Sequence, residues 1–114
     1  VAFTGTKKLS VDKNAVNSTF AILTITGMDD NVTLTEEEAK AVGMIVATPT
    51  ANDKAVIFPS AIPGKVVFVV NKASATNSVI IKVGASGTGA EIEANKKAIV
   101  ACAEDDFVAI TADK

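Results

Sequence analysis

The stretch Lys54–Gly84, KAVIFPSAIPGKVVFVVNKASATNSVIIKVG, decides the class of fold. It holds three apolar runs, Ala55–Phe58, Val66–Val70 and Val79–Val83, each rich in β-branched residues that fit a pleated, largely buried surface. Each run is bounded by Pro, Gly, Asn or Ser, so none continues as a helix. Three such runs in close succession read as adjacent antiparallel strands. Pro63-Gly64 between the first two suits the central positions of a type II turn.

Working outward, Phe20–Thr26 is a strand, Gly27–Asn31 a turn cluster and Val32–Leu34 a short strand or bridge. Thr35–Val42 (TEEEAKAV) carries the only helical signal. Thr35 and Glu38 stand three apart as a capping box, the acidic triplet lies at the positive end of the helix dipole, and Gly43 is placed to end the helix. Met44–Thr48 is the next strand. After the central stretch, Ala90–Glu93, Ala98–Ala103 and Phe107–Thr111 are strands separated by Gly84–Gly89, Asn95–Lys97 and Glu104–Asp106. MIVA-TPTAND-KAVIF and FVVN-KASATN-SVIIK share a plan of strand, six small or polar residues, strand, and read as two similar hairpins. Two copies fall short of a solenoid, which wants at least three. The expectation is an all-β domain: an antiparallel β-sandwich or jelly roll of about eight strands with one short helix near 35–42. A parallel α/β sheet is set aside because the crossover helices are missing.

Residues 1–17 differ from the rest and are read as an N-terminal arm, with 18–114 as the β domain. Phe3, Leu9 and Val11 are its scattered apolar residues. Leu9 and Val11, two apart, would face one side of a strand added to a neighbour.

Composition narrows the chemistry. Of 114 residues, 48% are hydrophobic but only 4% aromatic, so the core is built from small, β-branched side chains. The chain has no His, Trp or Tyr, and its 11 basic residues are all Lys. Without His, Ser-His and Cys-His nucleophile schemes are unavailable. Without Arg there is no bidentate clamp for phosphate, and without Tyr or Trp few stacking platforms remain. A formal charge of -2 argues against a nucleic-acid partner. No apolar run reaches the length of a membrane helix, and no secretory leader opens the chain. A cytosolic origin is the expectation on this reading, and the triplets Asn17-Ser18-Thr19 and Asn31-Val32-Thr33 are taken as chance matches to a glycosylation signal.

The remaining candidates each have a plain reading. GASGTG (84–89) is Gly-rich, but it lacks phosphate-loop spacing and no helix follows it, so it reads as a surface loop. Asp29-Asp30-Asn31, Glu36–Glu38, Glu91 with Glu93, and Glu104–Asp106 read as turns and a helix start, with no metal site and no acid–base pair. Cys102, between apolar neighbours, reads as a core residue. No catalytic residue, cofactor or metal is assigned, and an enzyme is not expected.

The layout from Leu34 to Ile110 resembles that of small phage virion structural proteins, in head decoration and in fibre domains. The T-x-E-E-A segment at Thr35–Ala39 leads through Gly43 into a strand. A strand ending in Pro59 and one ending in Asn71 follow, then the Gly-rich loop, a Lys-led strand from Lys97, and an acidic turn before the last strand. The resemblance implies a non-enzymatic capsid decoration or auxiliary protein. Such a protein is made in the host cytoplasm, resides in the virion, and binds and reinforces a phage head lattice as a homo-oligomer, with a trimer one possibility. Phe3, Leu9 and Val11 are the docking residues on this reading. A tail-fibre or adhesin-type domain recognising a host surface through loops 72–77 and 84–89 is the alternative.

Overall fold

A computed structural model describes residues 3–13, 19–74 and 76–111. Residues 1–2 and 14–17 of the expected arm, most of the triplet Asn17-Ser18-Thr19, and Ala75 of the loop 72–77 lie outside these. Ten strands and one helical segment follow in the order β1 (Thr6–Lys13), β2 (Thr19–Met28), β3 (Val32–Thr33), α1 (Glu36–Ala41), β4 (Val42–Pro49), β5 (Lys54–Phe58), β6 (Val66–Asn71), β7 (Val79–Val83), β8 (Ala90–Ile92), β9 (Lys97–Cys102) and β10 (Phe107–Ala109). A six-stranded sheet has the order β1-β2-β4-β6-β9-β10, and a four-stranded sheet the order β3-β5-β7-β8. Their inner faces close on one core, to which Leu23, Ile25, Ile45, Val67, Val69 and Val100 come from the larger sheet and Val56, Phe58, Val79, Ile81 and Ile92 from the smaller. Phe58 and Phe107 join the two across the core, with ring centroids 4.6 Å apart.

The all-β class with one short helix holds, but the antiparallel arrangement does not, and the jelly roll goes with it. Pairings β2–β4, β4–β6, β3–β5 and β5–β7 are parallel; β1–β2, β6–β9, β7–β8 and β9–β10 are antiparallel. The physical reason lies in the connections. The segments after β2, β4 and β6 carry the chain from one sheet to the other, so the next strand in sequence is not the next strand in the sheet. A parallel pair needs a crossover between its strands. Here a strand of the opposite sheet supplies it in place of a helix. The chain therefore winds in three coils, β2–β3, β4–β5 and β6–β7. Steps in the larger sheet are 22 and 24 residues (Ile22↔Met44, Met44↔Phe68), and in the smaller 24 and 25 (Val32↔Val56, Val56↔Ile81).

The repeat seen in the sequence is thus real, although its units are arches between sheets and not hairpins. Aligning MIVA with FVVN places Met44 on Phe68 and Ala47 on Asn71, which is the register of β4 on β6. The third copy, β2–β3, lies earlier in the chain. Antiparallel strands close both ends of the short stack: β1 on β2, and β8 and β9 on β7 and β6.

Local chemistry fixes the corners. Thr35 caps α1 as expected: its hydroxyl accepts from the Glu38 amide at 3.2 Å, and the Glu38 carboxylate accepts from the Thr35 amide at 2.9 Å. Gly43 does not end the helix; Val42 does, with φ -66 and ψ 132, because its buried side chain already begins the ladder opposite Ala21. The Pro63-Gly64 turn is of the expected type, with Gly64 at φ 87 and the Lys65 amide donating to the Ile62 carbonyl at 2.9 Å.

Asparagines stitch one coil to the next. Asn31 Oδ1 accepts from the Ala55 amide at 2.9 Å, and Asn52 Oδ1 from the Ser78 amide at 2.9 Å. Asn71, only 1% exposed, donates through Nδ2 to the carbonyls of Asn77 and Ile92, both at 3.0 Å, and accepts from the Ala73 amide at 2.9 Å. Removing it leaves a buried amide and a buried carbonyl unpaired. Asn71→Ala should therefore cost about 2–4 kcal/mol, read as a lower urea midpoint with unchanged slope. Asn71→Asp, which loses both donated bonds and buries a charge, should cost at least as much.

Candidate functional site

The outer face of the six-stranded sheet is the feature that the core does not use. In a strand, alternate residues face opposite sides, and in β4, β6 and β9 both sides are apolar. Val67, Val69 and Val100 point into the core while Val66, Phe68, Val70 and Ile99 point outward. Register aligns Ile22, Met44, Phe68 and Ile99 in one row across β2, β4, β6 and β9. A second row runs Lys8, Thr24, Val46, Val70, Lys97, and a third Val66, Ala101, Val108. Phe68 is 45% exposed, Val66 48%, Val108 46% and, just beyond β10, Ile110 60%. A shallow groove of about 320 Å³ lies at the centre, lined by Met44, Phe68, Val70, Lys97, Ile99 and Thr111.

The residues singled out from the sequence lie elsewhere. Residues 6–13 form β1 on the chain's own β2, eight paired positions long. Phe3 and Leu9 are half-buried against the chain's own core. Val11 pairs with Ala21 by register; its side chain is outside the description. The Lys7 ammonium meets Glu38 at 2.8 Å, tying β1 to the helix, and Thr4 bonds to the Asp29 carboxylate through both its amide and its hydroxyl. Burial works against the charged form of Glu38, but Lys7 and the Thr35 amide outweigh it and hold the carboxyl below its ordinary range. Phe68 and its neighbours were hidden among residues read as core. The available signal was VVFVV itself: a strand apolar at every position asks for cover on both faces.

The Gly-rich loop cradles an anion, and the anion belongs to the chain. Asp106 Oδ1 accepts from the amides of Val83 at 3.0 Å and Phe107 at 2.9 Å, and Oδ2 from Gly89 at 2.8 Å. Gly89, at φ +72, is pressed so close that a Cβ would lie 2.4 Å from the Ile81 carbonyl oxygen. Partial burial raises the Asp106 pKa, yet the amides of Gly89, Val83, Phe107 and Thr88 outweigh it, and the carboxyl sits below its ordinary range. Among the described residues, no group of three or more His, Cys, Asp or Glu side chains could hold a metal ion. Cys102 is 1% exposed within the core, as expected. The half-buried Lys65 has its pKa lowered by desolvation and donates to the Lys40 carbonyl at 2.8 Å, at the end of α1. A second, more polar cleft of about 310 Å³ is lined by Thr76, Ser78, Glu93 and Ala94.

Compared with known protein families, curated proteins and solved structures, the chain matches none.

Because the Asp106 pKa is depressed on folding, its contribution to stability is complete above the ordinary Asp value and is lost as pH falls through the folded value. Asp106→Asn should cost about 1–3 kcal/mol at pH 7. The gap between wild type and variant should narrow below pH of about 4, in urea unfolding measured across that window.

Proposed function

We propose that the chain is a non-enzymatic structural protein of a phage virion, a capsid decoration or auxiliary protein that binds and reinforces the head lattice. The observation that carries the reading is the apolar outer face of the six-stranded sheet, standing on a frame whose other face is a filled core. An open apolar patch of this kind marks an association surface. Two further features support it. The side chains that ordinarily run acid–base or nucleophilic chemistry near neutral pH are scarce: His and Tyr are absent, and the single Cys is buried. Each coil is also hydrogen-bonded to the next through both sheets, a build suited to bearing load. The phage head as the lattice comes from the layout of turns and strands between Leu34 and Ile110.

The tail-fibre or adhesin alternative would place recognition on loops 72–77 and 84–89. Several polar groups there are spent inside the chain. Asn71 holds the first loop through Ala73 and Asn77, and Asp106 holds the second through Gly89. The sheet face is therefore the better docking surface.

The test is immunogold labelling of phage particles from an induced source culture, with antibody raised against the purified chain. Label over the heads is the expected result. Label confined to tails or fibres would favour the alternative, and intact particles without label would overturn the virion reading.

A further inference from the structure

We infer that the surface docked on the outer face of the six-stranded sheet is both acidic and apolar: a protein segment that seats a large apolar side chain in the groove and sets carboxylates against Lys97 and Lys72. The inference rests on the reading of this face as an association surface and names the chemistry of its partner.

Charge chooses the occupant. The chain carries a formal charge of -2. Yet among the strand residues whose side chains are described, none that points outward from this sheet is acidic. Asp12, whose side chain is outside the description, stands opposite Phe20 at the far end of β1 from the lysine row. The outward charges are Lys8 on β1, Lys97 on β9, and Lys72, which follows β6 and keeps its alternation. All three are exposed, and among the described residues none of their ammonium groups has an acceptor. Four lysines off this face are spent inside the chain. Lys7 meets Glu38 at 2.8 Å and Lys54 meets Asp30 at 3.8 Å, while Lys65 and Lys82 donate to the carbonyls of Lys40 at 2.8 Å and Ala85 at 3.0 Å. An apolar face with unspent cations and no described acid is the complement of an apolar surface that carries carboxylates.

Position ties the charge to the groove. Lys97 stands opposite Val70 and lines the groove beside Phe68 and Ile99. Lys72 lies two residues beyond Val70, on the order of 8 Å from Lys97 by strand geometry. That is within a Debye length at low salt, so one acidic cluster feels both. The groove, floored by Met44, Phe68, Val70 and Ile99, has the chemistry that receives an apolar anchor at the centre of an interface. An anionic lipid surface would also meet an apolar centre with a lysine rim. Lipid surfaces, however, are gripped by Trp and Tyr and by dense basic clusters, and this chain has no Trp, Tyr or Arg. A concave groove also fits a protruding side chain better than a flat lipid layer.

The experiment titrates the full chain with two capped tetrapeptides, Asp-Leu-Phe-Asp and Lys-Leu-Phe-Lys, and follows the Met44 methyl and Phe68 amide signals by NMR. The acidic peptide should move both signals and bind about fivefold or more tightly than the basic one at low salt. The gap should close as salt is raised to 1 M. Lys97→Gln and Lys72→Gln should each weaken the acidic peptide about threefold to tenfold without weakening the basic one. Lys40→Gln, at an exposed position off this face, should change neither. Phe68→Asp, at a position 45% exposed, should keep its circular dichroism and lose both peptides. Equal binding of the two peptides, binding of neither, or an acidic preference unmoved by Lys97→Gln and Lys72→Gln would overturn the inference. So would sedimentation with phosphatidylglycerol vesicles, which would mark a membrane, or a Phe68-dependent dimer in light scattering, which would mark a second copy. Gold-labelled heads with equal binding of the two peptides would leave the virion reading standing without this inference, and an acidic preference with unlabelled heads would do the reverse.

Discussion

Each time the chain leaves one sheet for the other, the backbone amides at the corner lose the strand that would have paired them. An amide left unpaired away from water costs about as much as a lost hydrogen bond, so the winding stands or falls with its corners. Backbone ladders take up part of the need: the Thr50 amide reaches the Met28 carbonyl at 2.9 Å, and the Lys72 amide reaches Ala47 at 2.8 Å. At the far ends of the smaller sheet, Leu34 donates to Ile57 and Gly84 to Phe58. Side chains complete it, with Asn31, Asn52 and Asn71 at successive arches and Asp106 over the last loop. Among the described residues, no buried side-chain nitrogen or oxygen lacks a partner.

This constraint explains what could be read from the sequence. Element positions were readable because continuous apolar runs rich in β-branched residues, and the turn residues that bound them, depend on local physics. The capping box at Thr35 and Glu38 and the Pro63-Gly64 turn were readable for the same reason. Strand direction was not. TPTAND and KASATN are as good at carrying a chain across a core as at turning it back, and VIIKV has no letter that distinguishes a parallel neighbour from an antiparallel one. The 24-residue offset between MIVA and FVVN was the clue to parallel stacking. Its third copy was masked because β3 is only two residues long and α1 interrupts the coil.

The site was harder to see. Phe3, Leu9 and Val11 stood out because they are apolar residues in a polar segment. That is also what an edge strand looks like when one side packs on its own sheet and Lys7 and Lys8 blunt the other. Phe68 did not stand out, because an apolar residue among apolar residues looks like core until the sheet's second face is known to be open. The proposed function rests on that second face. In β6 and β9 the inner residues close the fold, while outer residues such as Val66, Phe68 and Ile99 are not used by the core.

Every placement on that face depends on β4 and β6 lying side by side and parallel. Nuclear Overhauser contacts between backbone protons test this without any variant. Parallel pairing requires sequential amide-to-α contacts linking residues 44–47 with 68–71. Strong α-to-α contacts between β4 and β5 across residues 49–53 would instead show a hairpin, and would contradict the coiled winding together with the face built on it.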